Sequence, residues 1–108
     1  MKTVPWFVLK QFDGSPIKMP NGVDATLKDV LLLQIGGAQI KDGKKAIAAY
    51  IIGTKIYALK DGEDLMLEDE EFNVMKDAIE SNPPQNAVIW GQIWQKLIDA
   101  KEGKTTYN

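Results

Sequence analysis

The hydrophobic positions fall into two regimes, a short crowded one at the N-terminus and a helical one after it. From Val4 to Phe12 the apolar residues Val4, Trp6, Phe7, Val8, Leu9 and Phe12 lead into Asp13-Gly14, a hairpin turn dipeptide. This predicts a strand, a turn and a short returning strand over Pro16–Met19, bounded by proline and therefore an edge. Pro20-Asn21-Gly22 marks a second turn.

Helical spacing follows. Thr26-Leu27-Lys28-Asp29 has the form of a capping box with aspartate in place of glutamate, and Leu27, Val30, Leu31 and Ile35 share one face before Gly36-Gly37 closes the helix. A second helix is expected from Asp42-Gly43 to about Lys60. Its apolar residues, among them Ala46, Ile47, Tyr50, Ile51, Ile52, Ile56 and Tyr57, lie on nearly every side, which predicts a central helix covered by its neighbours. The competing reading of 46–59 is a strand, because Ala48–Tyr57 is rich in β-branched and aromatic residues.

Leu65-Met66-Leu67 reads as a short extended stretch. It leads into Glu68-Asp69-Glu70-Glu71, whose acids favour the start of a third helix over 68–80 with Phe72, Met75, Ala78 and Ile79 inward. Ser81-Asn82-Pro83-Pro84 breaks the chain. A fourth helix is expected from Pro84 or Gln85, with Trp90, Ile93, Trp94, Leu97 and Ile98 at helical spacing, Gly103 stopping it and the last residues, 103–108, a frayed tail. No internal repeat, low-complexity tract or dividing linker is seen. The expected architecture is α+β, mainly α, one domain over 1–108: an N-terminal β-hairpin over 4–19 packed on about four helices within 25–102.

Composition narrows the chemistry. At 108 residues, 44% hydrophobic and 26% charged, the chain matches ordinary globular usage and has the length for one core. It contains no cysteine, histidine or arginine. Disulfides, thiolate zinc sites, thiol nucleophiles and histidine acid/base work are thereby excluded. All thirteen basic residues are lysines and the net charge is −2, which disfavours sequence-specific nucleic-acid reading, since arginine is the usual fork for phosphates and guanine edges. Ser15 and Ser81 sit beside prolines in turns and read as turn formers. The N-terminus does not resemble a secretory signal, and no run reaches the roughly 18 apolar residues of a membrane span, so a cytoplasmic setting is expected.

Three constellations remain. The acidic run Asp61, Glu63, Asp64, Glu68, Asp69, Glu70, Glu71 departs from the calcium-loop pattern and reads as a solvated helix start, so no metal or other cofactor is expected. Lys41, Lys44 and Lys45 form the basic cluster, a candidate for anions or nucleic acid at a helix start, against the plainer reading of a charged turn. Trp90, Ile93, Trp94 and Leu97 form a stripe that serves either as core anchors or as an interface hot spot, and they are the expected partner-binding residues.

The order Thr26-Leu27-Lys28-Asp29-Val30-Leu31, Lys55-Ile56-Tyr57, Leu67-Glu68-Asp69-Glu70-Glu71-Phe72, then Pro84, Val88, Gly91-Gln92 and Trp94 resembles small uncharacterised proteins of tailed bacteriophages and prophages. The resemblance implies a viral origin, hence a host-cytoplasmic setting, and an accessory or structural role without catalytic residues. The expectation is a non-enzymatic module for binding a protein partner or assembling with itself, the alternative a nucleic-acid-associated accessory protein using the lysine cluster.

Overall fold

The computed structural model describes residues 1–84 and 86–102. Its elements are β1 (Lys2–Val4), α1 (Leu27–Gly36), α2 (Gly43–Tyr57), β2 (Leu65–Leu67), α3 (Asp69–Ser81), α4 (Ala87–Ile98) and β3 (Lys101–Glu102). The fold class is α+β and mainly α, as expected. Gln85, the stop expected at Gly103 and the frayed tail lie outside the described residues.

Strand pairing departs from a simple hairpin. β1 ends at Val4, before Pro5, whose missing N–H cannot continue a ladder. Its partners come from far along the chain, β2 on one side (Val4 opposite Leu65) and β3 on the other (Thr3 opposite Lys101), both antiparallel, giving the order β2-β1-β3. α4 accordingly stops at Ile98, short of the expected Gly103, and the chain turns back through Asp99-Ala100 to close the sheet edge.

The expected turn at Asp13-Gly14 does form, with Lys10 facing Pro16. The Gln11 amide donates to the Ser15 carbonyl (2.8 Å) and the Gly14 amide to the Gln11 carbonyl (3.0 Å). Gly14 takes φ +87°, the left-handed residue that completes a three-residue hairpin loop. Eight residues later the same geometry recurs. The Met19 amide donates to Val23 (2.7 Å), Gly22 to Met19 (2.8 Å), and Gly22 has φ +87°. Asp13 Oδ1 accepts the Ser15 amide as Asn21 Oδ1 accepts that of Val23.

The two units, Leu9-Lys10 to Asp13-Gly14 and Ile17-Lys18 to Asn21-Gly22, are thus a short repeat that the linear reading missed. Their backbones close a ring: Leu9 N–H donates to Ala25, Ala25 to Ile17 and Ile17 to Leu9, at 2.8–2.9 Å. Each of these residues spends its N–H and C=O on the other two, which lets a segment with no regular sheet bury Leu9 and Ala25.

The helices form where their caps predict. Asp29 Oδ2 accepts the Thr26 amide at 2.9 Å, the expected box at the head of α1. Glu71 Oε1 accepts the Glu68 amide at 3.0 Å, a second box at the head of α3. Asn86 caps α4 by accepting the Ile89 amide at 3.0 Å, two residues beyond the proline at which the sequence places the start. α2 is helical throughout, against the strand alternative, because Asp42 Oδ1 accepts the Lys44 amide at 2.9 Å and fixes its first turn.

The core is built from one face of each helix and the inner residues of β1 and β2. Leu27, Ile52, Ile56, Met75 and Ile79 have no exposed surface. Phe72, Met75, Ala78 and Ile79 of α3 all point inward as the spacing predicts. One side chain of α4, Gln92, anchors the N-terminal segment at Lys10. Its Oε1 accepts the Lys10 amide at 2.8 Å and its Nε2 donates to the Lys10 carbonyl at 2.7 Å, an imitation of a strand neighbour 82 residues away in sequence.

Candidate functional site

The tryptophan stripe resolves into two kinds of position. Ile93 and Leu97 are 1% and 3% exposed and belong to the core. They face inward because α4 must bury one apolar stripe against the rest of the fold. Trp90 and Trp94 are half-buried against that core, with ring centroids 5.1 Å apart and planes tilted by 47°. The Lys76 ammonium lies 5.4 Å from the Trp94 ring centroid and 5.8 Å from that of Phe72, a cation capping the aromatic edge of the α3–α4 seam.

Lys41, Lys44 and Lys45 are all exposed at the turn that opens α2. The amides an anion would use at this helix start are already occupied, since Asp42 accepts from the backbone N–H of both Lys44 and Lys45. An incoming phosphate would compete with that carboxylate for the same donors.

Much of the acidic run is engaged in structural contacts. Asp64 Oδ1 accepts the Trp6 amide at 2.9 Å, Glu63 Oε1 the Lys60 amide at 2.9 Å, and Glu71 pairs with Lys55 at 2.5 Å. The hydrogen bond from Lys55 holds the Glu71 carboxyl below its ordinary value, outweighing partial burial, with the Glu68 amide adding to the effect. Among the described residues no group of three or more acidic side chains converges as a metal site.

The surface that stands out is on α2. The sequence predicts this helix to be covered on all sides, but only Ala49, Ile52 and Ile56 are buried. Ile47 is 64% exposed, Tyr50 74%, Ile51 45% and Tyr57 72%. The covering neighbours are missing on this side because α1 and α3 pack on the opposite arc and α4 closes the other end of the core. Along the rim of α2 toward α1 runs an apolar groove of about 440 Å³, whose lining includes Leu32, Ile35, Ala46, Tyr50, Gly53 and Tyr57. A Cβ at Gly53 would meet nothing within 4 Å, so the groove floor is open there.

Charge is distributed unevenly around this face. Residues 27–60 carry six lysines against two aspartates, Asp29 and Asp42, both engaged in helix caps. Residues 61–82 carry nine acids against Lys76 alone. The Lys28 ammonium lies 5.1 Å from the ring centroid of Tyr57 and donates to the Leu59 carbonyl at 3.1 Å.

The linear pattern contained the signal for this face, namely more apolar residues on α2 than one buried side needs, but gave no means of choosing the side. Among the described residues no helix is long and apolar enough to cross a membrane. Comparison with protein families, with characterised proteins and with solved structures finds no match to this chain.

Proposed function

We propose that the chain is a non-enzymatic protein-interaction module whose working surface is the outer face of α2 with the adjoining α1 groove. The observation that carries this reading is the exposure of Ile47, Tyr50, Ile51 and Tyr57 on a single helix. Contiguous exposed apolar surface marks interaction sites, whereas isolated exposed apolar residues such as Phe12 are ordinary. The resemblance to small phage and prophage proteins suggests the setting, an accessory or structural protein acting in the host cytoplasm. The partner-binding role passes from Ile93 and Leu97 to α2, with Trp90 and Trp94 left as half-buried packing.

The test separates surface from core. Tyr50→Glu and Tyr57→Glu together abolish binding of an apolar fluorescent dye while leaving the thermal midpoint within a few degrees of wild type. A collapse of the midpoint, or dye binding unchanged by the substitutions, refutes the assignment. The lysine-cluster alternative has weaker support because Asp42 occupies the helix start. It requires nucleic-acid binding that falls steeply with salt and is reduced by Lys44→Gln.

A further inference from the structure

We infer that the α2 face is self-complementary and pairs with α2 of a second copy, antiparallel about a two-fold axis that crosses the exposed side of the helix at the level of residue 52. This rests on the reading of that face as an interaction surface and names its occupant. The residues Ile47, Tyr50, Thr54 and Tyr57 recur at steps of three, four and three, the seam spacing of paired helices. One flank of the seam holds Ile51 and Ala58, the other Ala46 and Gly53, so α2 itself places no charge in the seam or on either flank over this length, and the Lys28 ammonium of α1 lies beside it only at the Tyr57 ring. Gly53 and Ala46, with the open groove beside them, leave room for a second helix to approach closely.

Orientation follows from size and charge. Antiparallel pairing about position 52 sets Ile47 opposite Tyr57 of the second copy and Tyr50 opposite its Thr54, a large ring against a smaller side chain in each layer. Parallel pairing would stack Tyr50 on Tyr50 and Tyr57 on Tyr57. It would also place Lys44 and Lys45 beside their own copies with both positive helix ends together. The antiparallel arrangement separates these lysines to opposite ends and opposes the two helix dipoles.

Area supports a second copy as occupant. At roughly 200 Å² per aromatic ring and 100 Å² of apolar surface per isoleucine, the exposed parts of Tyr50, Tyr57, Ile47 and Ile51 total about 400 Å². That is half of the ~800 Å² per partner of a standard interface before Thr54, Ala58 and the groove rim contribute. The face is isologous, so the contact closes as a dimer and leaves neither copy's α2 face open to propagate it.

The experiment is solution mass by size-exclusion chromatography with light scattering across a concentration series. Wild type shows twice the chain mass. Tyr50→Glu, folded by circular dichroism because its side chain is mostly exposed, weakens the dimer by more than about tenfold in Kd. Phe12→Ser, which removes an apolar residue 88% exposed elsewhere, leaves it intact. Because the chain has no cysteine, an equimolar mixture of Tyr50→Cys and Thr54→Cys oxidises to a mixed disulfide if the register is right, and Phe12→Cys serves as the negative control.

A wild type that stays at chain mass at the highest concentration overturns the pairing, as does a dimer indifferent to Tyr50→Glu. If that monomer still binds an apolar dye in a Tyr50-dependent way, the self-pairing alone is refuted and the face belongs to a different protein. If it binds none, the interaction surface itself is refuted.

Discussion

Ile51 and Ile52 are adjacent on α2 and chemically identical, yet the structure leaves Ile51 45% exposed and gives Ile52 no exposed surface. Truncating each to alanine therefore measures the orientation of the helix. Ile52→Ala removes three buried carbons, worth about 2.4 kcal/mol of transfer free energy at roughly 0.8 kcal/mol each, and the cavity left behind raises the cost to about 3 kcal/mol. Ile51→Ala forfeits about half the transfer contribution, and the better helix propensity of alanine offsets a few tenths, leaving about 0.5–1 kcal/mol. The expected difference is about 2 kcal/mol, or roughly 30-fold in the folded-to-unfolded ratio. Urea unfolding followed by circular dichroism and tryptophan fluorescence reads both variants against wild type, with equal slopes required for the comparison. The series is repeated at several protein concentrations, because association through α2 adds a mass-action contribution that Ile51→Ala also weakens. Equal losses in the dilute limit, or a larger loss for Ile51→Ala, would falsify the assigned inward face and the interface argument with it.

Other contacts yield sharper local tests. Glu71 is held below its ordinary value in the folded chain, so its contribution is present above that value and is lost as pH falls through the folded one. Glu71→Gln should cost about 1 kcal/mol at neutral pH, through the weakened cap and the partly exposed Lys55 pair, and the two proteins should converge in stability in strongly acid solution. An alanine Cβ at Gly37 would stand 2.8 Å from Asn82 Nδ2. Gly37→Ala should therefore displace the Asn82 amide from the Gln34 carbonyl and destabilise by about 1 kcal/mol, and Asn82→Ala in the same chain should recover part of that loss, a coupling that a thermodynamic cycle detects. Gln92→Ala removes both hydrogen bonds to the Lys10 backbone and should cost about 1–2 kcal/mol, with faster amide exchange in residues 8–12 than in α1. Asp42→Ala should lower stability by about 1 kcal/mol and at the same time free the amides of Lys44 and Lys45; phosphate protection of those amides only in the variant would show that the native cap is what excludes anions.

The features legible in the sequence are those whose cause lies within a few residues. The box at Thr26 and Asp29, the aspartate cap before α2, the acids opening α3 and the glycine turns at 14 and 22 are each one hydrogen bond or one backbone angle acting over two to four positions. The inward stripe of α3 was legible for the same reason, since its apolar residues occupy one face and its charges the other. The absence of cysteine, histidine and arginine excluded whole classes of chemistry without reference to shape.

What only the tertiary structure decided concerns sides and distant partners. α2 carries apolar residues on nearly every side, so its periodicity does not single out one face, and whether Ile51 or Ile52 is covered depends on where α1 and α3 pack. Trp90 and Trp94 are half-buried while Tyr50 and Tyr57 are exposed, for burial is a property of neighbours and not of residue type. β1 finds β2 and β3 about 60 and 100 residues away, and Gln92 finds Lys10 across 82, because unpaired backbone groups accept any partner the folded core brings within reach. The candidate site lies in that second category. A local pattern records how much apolar surface a helix carries, and only the packing of the whole chain leaves part of it uncovered.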